Sequence, residues 1–174
     1  DCVEKELREE HVGQVRGLLE RAGIDDVDPA GFRRYGSARR LYNFTVDNAA
    51  NLRTNLGAVD DTEAGTLISW GRGNDVAGLR NRRGWILGPI VHSTPVVVGP
   101  PANFLVEQSY QEFFNANEHR RKMVYVGAND GMLHAFDANT GEERWAFVPE
   151  FALPSFTVMA DSFYCHKYSV DQTV

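Results

Sequence analysis

The sequence predicts a mainly β protein with helical insertions, and the prediction rests on residues 123–149. Three observations carry it. Val124, Tyr125 and Val126 are β-branched or aromatic, the composition of a half-buried strand. Asn129-Asp130-Gly131 follows at once, and Asp-Gly is a strong hairpin turn because glycine reaches positive φ without a Cβ clash. A second turn, from Asp137 through Thr140 to Gly141, lies six residues further on. There the Asp137 carboxylate is placed to accept backbone N–H groups two or three residues ahead. Between the turns, Met132, His134 and Phe136 alternate with Leu133 and Ala135. After the second turn, Trp145 and Phe147 share one face.

Composition frames this reading. The chain has 174 residues, enough for one domain with a core, and 43% hydrophobic against 24% charged residues is ordinary for a globular protein. A net charge of −6 argues against a broad nucleic-acid footprint. No apolar run approaches the ~20 residues that span a bilayer. Cys2 and Cys165 lie near opposite ends. They either pair, as an exported protein allows, or stay as two thiols, and the sequence leaves both open.

In chain order, residues 4–22 read as an amphipathic helix. Leu7, His11, Val12, Val15, Leu18, Leu19 and Ala22 form its stripe, and Glu4, Glu6, Glu9 and Glu10 suit the positive end of its dipole. Gly23 is its C-cap. Asp25, Asp26 and Asp28 invite a calcium reading, but Ala30 and Ser37 stand where an EF-hand loop needs ligands, so a solvated acidic loop is preferred. Asp60, Asp61 and Glu63 form a second such loop. Arg33, Arg34, Arg39 and Arg40 surround Tyr35, Tyr42 and Phe44, and 39–45 reads as a strand. Ion pairs with the acidic loops explain these arginines better than nucleic-acid stacking in an acidic chain. Asn43-Phe44-Thr45 matches a glycosylation sequon by pattern alone. Residues 63–70 read as a short helix, followed by a turn over 71–75 that has neither the P-loop nor the GxGxxG spacing.

Val96-Val97-Val98 is an apolar run of the kind buried in a sheet, and Pro95 belongs at its start because it cannot donate to a ladder. Strands over 94–98, 123–127, 132–137 and 144–148 then complete a four-stranded unit. An insertion over 100–122 separates the first two, with Tyr110, Phe113 and Phe114 at helical spacing. Beyond 149, Tyr168 and Val170 alternate with Ser169 and Asp171, as in the opening strand of another such unit.

The pattern YVG-x-x-DG-x-L-x-A-x-D-x-x-TG-x-x-x-W resembles the repeat of quinoprotein-like β-propellers, in which each repeat is one four-stranded blade. The fold class is therefore a partial quinoprotein-like β-propeller, about one complete blade plus the start of the next, with an N-terminal helix. Residues 1–84 are the helix and lead-in, and 85–174 the blade with its insertion and the start of its successor. Closed propellers need about four to eight blades of ~40–50 residues, so the reading expects a larger ring. Gly127, Asp130, Gly131, Asp137, Thr140, Gly141 and Trp145 are the motif residues, with structural roles in turns and blade docking.

The order of Ser69–Asp75, Trp85–Pro101, Val124–Pro149 and His166–Asp171 is similar to the β-propeller region of the PilC/PilY family of type IV pilus tip adhesins and biogenesis factors. Leu133-His134-Ala135-Phe136 separates it from generic quinoprotein repeats. The resemblance implies export and a place at the cell surface, pilus tip or outer membrane of a Gram-negative-type bacterium. It implies partners among the major and minor pilins, the rest of the propeller and a host or surface ligand. Nucleic acid and membrane spans are not expected. The function implied is support of pilus assembly, extension and retraction, and attachment, through blade-end loops, chiefly 100–122. The family's aspartate-rich calcium loop lies in a later blade, so no cofactor is assigned to these residues. Pro89 stands where the family tends to have an acid.

Two other readings compete. A quinone-dependent dehydrogenase would need calcium, a base and a cofactor sandwich. Vicinal cysteines and a facing carboxylate pair are missing, and His92, His134 and His166 read as strand or loop histidines, so no catalytic residue is assigned. An outer-membrane assembly propeller shares the repeat but would normally lack the long insertion. Ser93, His92 and Asp75 are triad types without nucleophile-elbow spacing.

Overall fold

The computed structural model describes residues 44–172. The 4–22 helix, the 25–28 acidic loop, the 33–40 arginines, Asn43 and Cys2 fall outside that range. Phe44 and Thr45, the last residues of the expected 39–45 strand, form a bend rather than a strand.

A 3₁₀ turn over Val46–Asn48 leads into α1, Ala49–Leu56, whose Leu52 and Leu56 are buried one turn apart. Gly57, at φ +69°, ends it in the left-handed conformation, its N–H reaching the Arg53 and Thr54 carbonyls. α2, Asp61–Gly71, extends the expected 63–70 helix by two residues at its start and one at its end. The Asp60 side chain caps it by accepting the Glu63 N–H at 2.8 Å, and the Glu63 carboxylate reaches back to the Val59 N–H at 2.6 Å. So Asp60 and Glu63 are a helix start, not a solvated loop. α2 buries Leu67, Ile68 and Trp70.

The sheet comprises β1 (Val96–Val98), β2 (Met123–Ala128), β3 (Met132–Asp137) and β4 (Glu143–Phe147) in sequential order. α3, Gln108–Asn117, lies in the insertion between β1 and β2 and buries no residue. All pairs are antiparallel, with Val97 opposite Val124, Val126 opposite His134, and His134 opposite Ala146. A bulge at Ala135/Phe136 brings Phe136 opposite Glu143. Cross-strand partners share a face. One face therefore holds Val124, Val126, Ala128, Met132, His134, Phe136, Glu143 and Ala146, and the other Tyr125, Leu133, Ala135, Trp145 and Phe147.

The first face is covered over β2, β3 and β4, while Val97 at its β1 edge is exposed. Met132, Ala146 and Val148 join Leu52, Leu56, Leu67, Ile68 and Trp70 in one core, closed by Leu153, Phe156 and Met159 around α4, Ser155–Met159. Ile90, with Leu87 against it, packs on Val126 and Ala128. The helices before residue 84 thus share a core with the blade. The second face is only half-buried at Tyr125, Leu133, Trp145 and Phe147, with Tyr125 and Trp145 in tilted contact at 5.6 Å.

Residues 166–172 form no strand. Tyr168 is exposed, and the Asp171 side chain bonds the 91–93 loop instead of extending a ladder. An alternating pattern becomes a strand only beside a partner edge, and this segment has a different use.

Candidate functional site

The two motif turns lie at opposite ends of the sheet. At one end, Gly131 takes φ +86° and its N–H closes on the Ala128 carbonyl. Asp130, beside it, is buried. Its Oδ2 accepts the Gly88 N–H at 2.8 Å, and Oδ1 lies 3.0 Å from His134 Nε2. The other ring nitrogen, Nδ1, is 2.6 Å from Glu143 Oε1. His134 is fully buried, with the Phe136 ring stacked 5.9 Å away. Burial works against a charged ring, but the charges and hydrogen bonds of Asp130 and Glu143 outweigh it and raise the pKa to about 9. Asn129 completes this end: its backbone N–H and side-chain Nδ2 both donate to the Pro89 carbonyl, at 2.9 and 3.0 Å.

At the other end, Asp137 Oδ1 accepts the Asn139 N–H at 2.9 Å and lies 3.4 Å from the Thr140 N. Its Oδ2 accepts from Arg121 at 2.7 Å. Burial opposes ionisation, but these N–H groups and the guanidinium hold the carboxyl below its usual range. Thr140 Oγ1 accepts the Glu142 N–H, and Gly141 turns at φ +73°. Arg121 therefore ties the end of the insertion to the second turn.

A third network gathers around Asp171. Its Oδ1 accepts the N–H groups of Val91, His92 and Ser93 at 3.1, 2.8 and 3.2 Å, and Oδ2 lies 2.9 Å from His92 Nδ1. Burial would raise its pKa, but the Asn129 side chain and these donors prevail and lower it to about 2. The Ser93 hydroxyl also bonds Asp171, at 3.4 Å, rather than the histidine. A hydrolase needs its serine on the far nitrogen of the histidine, so this is a loop anchor, and Asp75 takes no part in it.

Of the motif residues, Gly127 faces Val170, and Trp145 sits on the half-open face. The sequence reading missed His134, Glu143, Arg121 and Asp171 as network members. A histidine at an inward strand position was the available signal, because buried ionisable groups need partners. Among the described residues, no group of three or more His, Cys, Asp or Glu is placed to hold a metal ion, and no helix is long and apolar enough to cross a membrane.

A four-stranded meander in sequential order, with its charges spent on turns and loop anchors, has the architecture of one β-propeller blade. Residues 87–160 match the model of the PilY1 beta-propeller domain, and the chain belongs to the PilY1 family of type IV pilus proteins. It is 39% identical over 150 residues to a type IV pilus biogenesis factor PilY1 homolog of Xylella fastidiosa, covering 79% of this chain and 12% of that protein. To the type IV pilus biogenesis factor PilY1 of Pseudomonas aeruginosa it is 38% identical over 125 residues, 65% of this chain and 11% of that protein. It is also 59% identical over 49 residues to protein GlxC of Rhizobium meliloti, 28% of this chain and 22% of that protein. The chain thus spans about an eighth of the PilY1 relatives' length. No solved structure matches it.

Proposed function

We propose that this chain is a non-enzymatic scaffold portion of a quinoprotein-like propeller in a pilus-tip adhesin and biogenesis factor. In this reading the protein is exported to the cell surface. It supports pilus assembly, extension and retraction, and attachment. The chain needs no cofactor of its own, and any calcium acts elsewhere in the longer protein. The observation that carries the reading is the half-buried sheet face of Tyr125, Leu133, Trp145 and Phe147, which suits packing against another blade. The insertion supplies the contact surface for pilins or a surface ligand. Phe104, Val106 and Phe113 are exposed there, and Arg120 and Arg121 hold its end against the Gly99 carbonyl and Asp137.

The test is made in the organism that encodes the protein. Removing residues 94–148 from the genomic copy is expected to abolish surface pili and surface attachment. Removing 100–117 alone should leave the protein folded and exported but reduce capture of pilins in a pull-down. Normal piliation and attachment after the larger deletion would overturn the proposal. Capture of outer-membrane assembly factors in place of pilins would move the chain to a different scaffold role.

A further inference from the structure

Three successive backbone N–H groups converge on one carboxylate oxygen. Val91, His92 and Ser93 donate to Asp171 Oδ1 at 3.1, 2.8 and 3.2 Å. The Ser93 hydroxyl donates to the same oxygen at 3.4 Å, and His92 Nδ1 lies 2.9 Å from Oδ2. Consecutive N–H groups turned towards one point make a concavity for an anion. The loop that carries them is held from both sides. Before it, Ile90 is buried against Val126 and Ala128, and Asn129 binds the Pro89 carbonyl through two donors. After it, Val96 pairs with Tyr125 in the ladder. Neither hold passes through Asp171, so the donors stay converged without a carboxylate between them.

The chain brings its own carboxylate there along an extended path. The Tyr168 ring lies 4.7 Å from the His92 ring, and the Ser169 N–H donates to Asn129 Oδ1 at 2.8 Å. The Val170 carbonyl passes Gly127, where a Cβ would come within 2.6 Å of its oxygen. The Asp171 side chain then fills the concavity. It is 2% exposed, whereas the His92 side chain beside it is 59% exposed, so the site is deep but borders solvent.

We propose that residues 91–93 are a preformed carboxylate-binding site, and that 168–171 is a strap that supplies the chain's own carboxylate to it. With the Asp171 carboxyl removed, the site takes up a free carboxylate in its place. Charge sets the preference. Hydrogen bonds to an ionised acceptor are stronger than those to a neutral one, so a carboxylate should bind about tenfold more tightly than an amide, or better. Against the cost of burial, Asn129 and the loop donors hold the Asp171 carboxyl at about 2, as a site that favours the ionised form must.

The test uses the full 174-residue chain carrying Asp171→Ala, labelled with ¹⁵N, with sodium formate as the probe. Alanine keeps the Cβ, and formate has the size and charge of the group removed. The amide resonances of Val91, His92 and Ser93 should move saturably towards their positions in the unmodified chain. Formamide, of similar shape without the charge, should act about tenfold more weakly or not at all. Sodium chloride at equal ionic strength should do nothing. Asp171→Asn fills the site with its own side chain and should not respond to formate. If Asp171→Ala does not fold alone, folding becomes the readout, because a ligand of the folded state restores it. Formate should then recover the fold and formamide should not. Three amides indifferent to formate in a folded variant, no recovery of an unfolded one, an equal response to formamide, or the same response in Asp171→Asn would each overturn the proposal.

Discussion

At the scale of single residues, close approach and charge explain positions that composition cannot. A Cβ built on Gly127 would lie 2.6 Å from the Val170 carbonyl oxygen and 3.1 Å from Ser93 Oγ. A backbone oxygen yields less readily than the end of a side chain, so Gly127→Ala is expected to cost about 1–3 kcal/mol, the usual cost of forced overpacking. A urea midpoint unchanged from the unmodified chain would contradict this. Asp171 sets an acid limit. Its folded pKa of about 2 lies below the ordinary 3.8, so the stability it supplies is present above 3.8 and lost as pH falls through about 2. Replacing it with Asn should flatten the acid limb of a stability–pH curve in that window, and an identical limb in both proteins would show that other carboxylates govern it. Neither role was legible beforehand. Gly127 read as part of a motif and Asp171 as part of an alternating strand, because both roles depend on contacts some 40 to 80 positions away in the chain.

At the scale of elements, what was local was legible. β2, β3 and the two turns follow from β-branched runs and from Asp-Gly and Asp137–Gly141 chemistry, all contained within a few residues. β1 was found from Val96–Val98 despite the insertion, because a blade needs a first strand. α1 and α4 carry too few apolar repeats to stand out, with eight and five residues, and they are helices because the sheet face they cover needs Leu52, Leu56, Phe156 and Met159. The 166–172 segment imitated a strand by alternation alone. α2 offers a direct check on local chemistry. Asp60 accepts the Glu63 N–H at 2.8 Å in an exposed setting, so Asp60→Ala should destabilise the chain by about 1 kcal/mol. Asp60→Asn, which keeps an acceptor, should recover most of it. Equal midpoints for Ala and Asn would mean that the cap contributes nothing.

At the scale of the whole molecule, the two sheet faces differ in a way that bears on assembly. One is covered by the helices and by Leu87 and Ile90, except at its β1 edge, where Val97 is exposed. The other leaves Tyr125, Leu133, Trp145 and Phe147 half-buried in one apolar patch. Contiguous apolar surface of this kind marks an interaction site in a stable protein and an association hazard in an isolated one. If a neighbouring blade covers this face in the longer protein, two consequences separate by context. The chain on its own should self-associate with rising concentration in sedimentation velocity, and Leu133→Lys should shift it towards monomer by placing charge in the patch without touching the sealed core. In the full-length protein the same substitution would bury an unpaired charge between blades, and should lower the yield of folded, protease-resistant propeller. A chain that stays monomeric at all concentrations, or a full-length protein indifferent to Leu133→Lys, would mean that this face meets solvent, and the blade would then have to dock through its edges or its insertion instead.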